Sequence, residues 1–377
     1  MKYIPYGRHY IDSDDIKEVT KVLRSDWITQ GPKIEEFEEK LAHYCGAKYA
    51  VVVSSGTAAL HIACLVAGIK PGEEVITTPV TFVASANCIL YCGGKPVFAD
   101  IQEDTANIDP EEIRKKITKK TKAIIPVHYA GQPCDLKEIQ EIAKRHNLTV
   151  IEDAAHALGA EYKGSKIGSC KYSDMTIFSF HPLKSITTGE GGAILTNSKE
   201  YYEKLIMFRQ HGVTKDRTKF KFNNDANWYY EMHYLGYNYR LTDIQCALGL
   251  SQLRKLDKFI KRRRQIAQIY NKELSKLDGI ELPVGKKGVK SARHLYTIRI
   301  KGNKRRKIFE ALRKRGIGVH LHYIPVYLQP YYQQLGYRKG ACPVAENYYN
   351  RAITLPLYPK MRDKDVKSVV RILSNTL

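Results

Sequence analysis

The chain opens on a helical period. From about residue 14, SDDIKEVTKVLRSD spaces its apolar residues three and four apart behind acidic residues, which predicts a capped amphipathic helix ending before WITQGPK. KIEEFEEKLAHYCG predicts a second helix, with Gly46 as its C-cap. From Tyr49 the period changes to short β-branched runs: YAVVVSS, EEVITTP, PVFADI, AIIPVHY, LTVIEDA, MTIFSF and GGAILT. Helical patterns such as GTAALHIACLVAG and CDLKEIQEIAKRHN lie between several of them. Apolar strands alternating with helices predict an α/β fold, a mostly parallel sheet covered on both faces.

Near residue 241 the alternation stops. RLTDIQCALGLSQLRKLDKFIKRRRQIAQIYNKELSKL starts at a Thr242…Gln245 capping box and predicts one long helix running to LDG. Such a helix bridges two domains. HLYTIRI, a basic helix KRRKIFEALRKRG, the run IGVHLHYI and two final helical patterns then predict a smaller α+β unit. The expected division is residues 1–250 for the large domain and 251–377 for the small one. No internal repeat or low-complexity tract interrupts the pattern.

Composition adds one anomaly. Of 377 residues, 43% are hydrophobic and 27% charged, values typical of a soluble globular chain with a well-buried core. The net charge of +22 suits nucleic acid, an anionic surface or a phosphorylated substrate, or else only a lysine-rich solvated surface. Lysine and arginine are spread along the whole chain, no zinc-finger or RNP-type motif accompanies them, and KFIKRRR (258–264) lies inside a helical pattern. No nucleic-acid partner is therefore expected. The eight cysteines form no C-x-x-C pair, and no metal-ligand spacing is present, so reduced, mostly buried thiols and no metal are expected. MKYIPYGRHYID lacks a signal core, and no apolar run approaches the roughly 20 residues of a span. The expectation is a cytoplasmic protein without membrane association.

Four segments of the first domain carry candidate chemistry. SSGTAAL (54–60) is a strand–helix turn whose free amides, with the Thr57 hydroxyl, suit a phosphate, although small residues at such turns are commonly structural. VIEDAAHALGA places Asp153 at the carboxyl end of a strand, where ligands of doubly wound sheets bind. A carboxylate there serves as metal ligand, helix cap or partner of a cationic ring nitrogen. TTPVTFVASAN offers Phe82, either for core packing or as a stacking platform for a flat ring. In FSFHPLKSITTGEGG, Ser179, His181 and Lys184 follow a strand and precede glycines that permit close backbone approach. A lone lysine on a turn is ordinarily a surface residue. A phosphate cradle, an aromatic platform, a carboxylate and an amine together describe a site for pyridoxal 5′-phosphate. In it the amine joins the cofactor aldehyde and, once displaced, moves a proton.

The order SGTAAL, TTPVTFVASAN, EDAAHALGA, FSFHPLKSITTGEGG and GYNYRLTDIQCALGLSQL resembles the DegT/DnrJ/EryC1/StrS sugar aminotransferases, over nearly the whole chain. The resemblance implies a fold-type-I, pyridoxal-phosphate-dependent enzyme acting on nucleotide-linked keto-sugars. IPYGRHYID, SDWITQGPKIEEFE and above all WYYEMHYLGYNYRLTDIQ resemble the pseudaminic acid branch. That branch implies L-glutamate as donor, a UDP-linked 4-keto-6-deoxy sugar as acceptor, and a homodimer with shared active sites. By the same resemblance Lys184 is the covalent anchor, and Asp153 pairs with the ring nitrogen. His156 lies near the ring hydroxyl, where many relatives carry Gln, and Phe82 stacks on the ring. Gly56, Thr57 and Ser179 hold the phosphate, which Asn238 of the other subunit also reaches. Substrate contacts are implied for Tyr6, the DWIT segment (Asp26, Trp27, Ile28, Thr29), His181, and HLHY (His320, Leu321, His322, Tyr323).

Overall fold

Each apolar β-branched run becomes one strand of a central sheet: β1 (Tyr49–Val53), β2 (Glu74–Thr77), β3 (Lys95–Phe98), β4 (Thr121–Ile125), β5 (Thr149–Asp153), β6 (Met175–Ser179) and β7 (Gly192–Thr196). The structure, a computed structural model, describes residues 3–224 and 226–377. The strands lie in the order β1-β7-β6-β5-β4-β2-β3. Strands β2 to β6 are mutually parallel, and β7 runs antiparallel to both its neighbours. The sheet is thus mostly parallel, as expected. β7 is reversed because it follows β6 through a loop, residues 180–191, with no crossover helix to carry the chain back.

Among the described residues, nine α-helices serve this part of the chain: α1 (Ser13–Leu23), α2 (Pro32–Cys45), α3 (Gly56–Val66), α4 (Ala84–Tyr91), α5 (Pro110–Lys116), α6 (Leu136–His146), α7 (Lys199–Arg209), α8 (Asp243–Leu253) and α9 (Leu256–Leu274). Successive strand residues point to opposite faces, so the sheet feeds two cores. Val52, Phe178 and Leu195 pack with Phe37 and Leu41 of α2 on one face. Val51, Ile177 and Ile194 pack with Leu60 and Ile62 of α3 on the other. Both expected N-terminal helices form, α1 behind an Asp12 capping box and α2 ending at Gly46, whose φ of +80° is one that glycine adopts without strain.

The single long helix expected after residue 241 is two helices. Thr242 caps α8 as anticipated, but Arg254 and Lys255 form a turn between α8 and α9. There the Lys255 ammonium lies 2.5 Å from Asp12 and 2.8 Å from Asp15 at the start of α1, while Gln252 donates to Tyr10 O and Asp15 Oδ2. These tertiary contacts outweigh the continuous helical period.

A third core surrounds a three-stranded antiparallel sheet formed by Ile280–Glu281, Tyr296–Ile300 and Ala352–Leu355. The remaining helices are α10 (Arg305–Lys314), α11 (Pro330–Gln334), α12 (Pro343–Arg351) and α13 (Asp363–Ser374). IGVHLHYI forms no regular strand; it makes isolated bridges at Ile317 and His320. The Ile317 bridge is to Ile4, whose amide donates to Gly316 O at 3.0 Å and whose carbonyl accepts from Gly318 N at 2.7 Å. Ile4 therefore belongs to this core, and Tyr6 is carried against His320 and His322. Among the described residues no helix is long and apolar enough to cross a membrane.

Candidate active site

The carboxyl ends of β1, β5 and β6 open into a cavity of about 510 Å³. At the end of β1, Ser55 caps α3, its Oγ accepting from Ala58 N at 3.0 Å. The amides of Gly56 and Thr57, at the positive end of the helix dipole, donate to no acceptor among the described residues. Ser179 of β6 packs against this turn so closely that a Cβ on Gly56 would lie 2.9 Å from the Ser179 Cβ. A Cβ on Gly192 of β7 would lie 2.5 Å from Ser55 O. Glycine at both positions is what lets the strands close around the helix N-terminus.

Asp153, the last residue of β5, is buried; its Oδ2 accepts from Ser85 Oγ at 2.6 Å and its Oδ1 from Ala155 N at 3.1 Å. Lys184 enters from the β6–β7 loop, which is no bare hairpin. Lys184 N donates to His181 O at 2.9 Å, Thr187 Oγ1 and Thr188 N both donate to Phe180 O at 3.0 Å, and Gln245 Nε2 donates to Glu190 O at 2.7 Å. The Lys184 ammonium has no hydrogen bond or ion pair among the described residues. Burial pushes its pKa down to about 8, against the opposing pull of Asp153.

Histidines and tyrosines form the other wall. The His156 ring lies against that of His294, centroids 4.4 Å apart, and its Nε2 is 3.2 Å from the Tyr323 hydroxyl. Nδ1 of both His156 and His294 is buried without a partner among the described residues. Burial, reinforced by neighbouring cationic groups, holds both rings well below the usual histidine range, and that of His322 at about 3, so all three are neutral near pH 7. Burial likewise raises the Tyr6 and Tyr323 phenols. Phe82 is 60% exposed although it lines the cavity, leaving a ring face open.

The cavity thus gathers Tyr6, Gly56, Thr57, Phe82, Asp153, His156, Ser179, His181, Lys184, His320, His322 and Tyr323 from distant parts of the chain. The structure does not bring the DWIT segment there. Asp26, Trp27, Ile28 and Thr29 are exposed outside the cavity of their own chain. Asp243 at the start of α8 holds that segment, donating its amide to Ile28 O and accepting from Gly31 N and Lys33 N. Leu321 is outside as well, while its neighbours His320 and His322 line the cavity. Asn238 is exposed outside its own cavity and bridges to Gln210. Ser85, Thr81, Glu190 and His294 line the cavity without having been singled out from the sequence. The first three sit inside motifs already quoted for their chemistry; His294 heads the run HLYTIRI, quoted only as a structural element.

Residues 9–374 match the DegT/DnrJ/EryC1/StrS aminotransferase family. The chain is 43% identical over 374 residues to the spore coat polysaccharide biosynthesis protein SpsC of Bacillus subtilis, covering 98% of this chain and 95% of SpsC. It is 41% identical over 380 residues to the UDP-4-amino-4,6-dideoxy-N-acetyl-β-L-altrosamine transaminase of Campylobacter jejuni, covering 99% and 97%. Helicobacter pylori PseC, an aminotransferase of pseudaminic acid biosynthesis, superposes with a TM-score of 0.92 at 36% identity, covering 100% of this chain and 99% of PseC. The chain belongs to the DegT/DnrJ/EryC1/StrS aminotransferase family, with the fold of pyridoxal-phosphate-dependent sugar aminotransferases and pyridoxal 5′-phosphate as its cofactor.

Proposed function

We propose that the enzyme aminates a UDP-linked 4-keto-6-deoxy-N-acetylhexosamine, UDP-2-acetamido-2,6-dideoxy-β-L-arabino-hex-4-ulose, using L-glutamate. The products are UDP-4-amino-4,6-dideoxy-N-acetyl-β-L-altrosamine and 2-oxoglutarate, in pseudaminic acid biosynthesis in the cytoplasm. The observation that carries the choice of sugar is the full-length identity with the Campylobacter transaminase of that name.

The cavity's donor set fits the cofactor: amides at a helix N-terminus and an amine, all without partners among the described residues, with an open aromatic face and a buried carboxylate. When bound, the cofactor supplies a sink for the electron pair left as the amino donor's Cα–H proton departs. Asp153 would keep the ring nitrogen protonated; Gly56, Thr57 and Ser179 would hold the phosphate; Phe82 would stack on the ring; and the neutral His156 would serve the ring hydroxyl. Lys184 would anchor the cofactor and later carry the proton. With its pKa lowered to about 8, roughly a tenth of the Lys184 amine is neutral at pH 7, against about one part in 3,000 at the ordinary 10.5. That is the form able to accept a proton. Tyr6, His181, His320, His322 and Tyr323 face the space left for the sugar.

Lys184 is the only lysine or arginine lining the cavity among the described residues. Phosphates of cofactor and UDP therefore find little cationic charge within one chain. This supports a homodimer whose partner copy completes the site, with Asn238 reaching the neighbouring cofactor phosphate. The identity with SpsC favours a second reading, the same reaction on another nucleotide-linked keto-sugar. Incubation with L-glutamate and a panel of UDP-4-keto-hexoses, with NMR identification of the amino-sugar, tests both. Amination of only another epimer, or of a C3 ketone, rejects the first reading and supports the second.

A further inference from the structure

A row of hydroxyls stands behind Asp153. Thr81 Oγ1 lies 2.7 Å from Ser85 Oγ, which lies 2.6 Å from Asp153 Oδ2. All three side chains are buried, with Ser85 fully enclosed. Ser85 has one hydroxyl proton and three candidate acceptors, Asp153 Oδ2 at 2.6 Å, Thr81 Oγ1 at 2.7 Å and Phe82 O at 3.4 Å. The carboxylate, the strongest acceptor of the three and the nearest, takes it. Ser85 Oγ can then only accept from Thr81, which fixes the polarity of the row as Thr81 to Ser85 to Asp153. Bonds aligned in this way strengthen one another. Thr81, Phe82 and Ser85 belong to one turn at the start of α4, so the same few residues set both the aromatic face and the carboxylate's partner.

We propose that Ser85, backed by Thr81, is a positioning residue for Asp153, holding its carboxylate fixed in orientation toward the cavity. The proposal rests on the reading that Asp153 faces the ring nitrogen of the cofactor. Ser85 donates to Oδ2 and Ala155 N to Oδ1, so both oxygens of Asp153 are tied and the carboxylate plane is fixed where it would meet the ring nitrogen. Without the Ser85 hydroxyl Oδ2 loses its tether, the carboxylate can turn away, and the ring nitrogen would lose the partner that keeps its proton.

The test loads wild-type and variant enzymes with pyridoxal 5′-phosphate carrying ¹⁵N in the ring and reads the nitrogen resonance. Ser85→Ala is expected to shift it toward the neutral-pyridine position, to lower kcat by about tenfold with KM for glutamate little changed, and to keep the folded circular-dichroism spectrum. Ser85→Thr, which keeps the hydroxyl, is expected to restore the wild-type resonance. Thr81→Val removes only the outer hydroxyl; it is expected to give a smaller shift in the same direction and serves alone if Ser85→Ala does not fold. Asp153→Asn separates the two claims. If it moves the resonance while Ser85→Ala and Thr81→Val leave it in place, the positioning role is overturned and the Asp153 reading stands. If Asp153→Asn also leaves it in place, the Asp153 reading fails and the proposal falls with it.

Discussion

Replacing Lys184 by methionine should stabilise the cofactor-free protein at neutral pH. The Lys184 pKa falls from 10.5 to about 8 because burial disfavours the ammonium more than Asp153 favours it. Below about pH 8 the folded protein carries that cation at full penalty. Between about 8 and 10.5 the unfolded chain holds the proton more tightly than the folded one, so stability rises with pH through this window. Above 10.5 the penalty is gone. That depression corresponds to about 3 kcal/mol at pH 7 and leaves about 1.4 kcal/mol at pH 9.5. Methionine has similar length and no charge. Urea unfolding of the apoprotein should therefore show Lys184→Met more stable than wild type by about 3 kcal/mol at pH 7, with the gap closing by about 2 kcal/mol by pH 9.5. Taking the difference between the two proteins cancels the titration of every other lysine. A gap that is absent at pH 7, or that does not change with pH, would refute the claim that the amine is held in a desolvated, poorly compensated position.

Lys184→Arg should fold but not turn over, because guanidinium cannot shed its proton to act as nucleophile or base; product formation in a coupled glutamate assay checks this. Asp153→Asn should retain cofactor absorbance while losing orders of magnitude in rate, since an amide cannot keep the ring nitrogen protonated. Gly192→Ala would set its Cβ 2.5 Å from Ser55 O and 2.7 Å from Gly56 N, backbone atoms with no freedom to turn aside. It should cost about 1–3 kcal/mol in thermal unfolding and weaken capture of added pyridoxal phosphate. Mixing inactive Lys184→Ala chains with Asn238→Asp chains should restore activity, because each mixed dimer holds one site with both native residues; no recovery after confirmed subunit exchange would show that Asn238 does not serve its neighbour.

The apolar runs were legible as strands because a strand covered on both faces has no polar alternation to hide it. Strand direction and order were not, because neither changes which residues are buried. β7 is reversed by the connection that precedes it, not by anything within GAILT. The break between α8 and α9 was hidden for a related reason. LSQLRKLDKF keeps a helical period through the turn, and what bends it is the Lys255 ammonium meeting Asp12 and Asp15, more than 200 residues earlier in the chain. Ile4 was equally invisible as a core residue, since only its pairing with Ile317 puts it there.

The cavity divides in the same way. Its sheet-side wall was visible because each contributing residue ends an apolar run in a place where a core residue has no use for a polar group: Asp153 after TVIE, Ser179 after MTIF, the small residues after YAVVV. The opposite wall is assembled from Tyr6, His294, His320, His322 and Tyr323, which share no period and meet only through the N-terminal pairing and the small antiparallel sheet. Likeness to a family pointed to Tyr6 and the HLHY stretch, but it also pointed to Trp27 and Ile28, which lie exposed beside α8. His294 had no signal beyond heading the run HLYTIRI. Ser85 is the sharpest case, because within VTFVASAN a serine at the start of a helix reads as an ordinary cap. Val83, not Ser85, holds the N-cap position of α4, and the Ser85 hydroxyl is spent on a carboxylate 68 residues away. A polar side chain that neither caps its helix nor reaches solvent must be satisfied by a tertiary partner, and in this protein that partner is the carboxylate at the centre of the proposed chemistry.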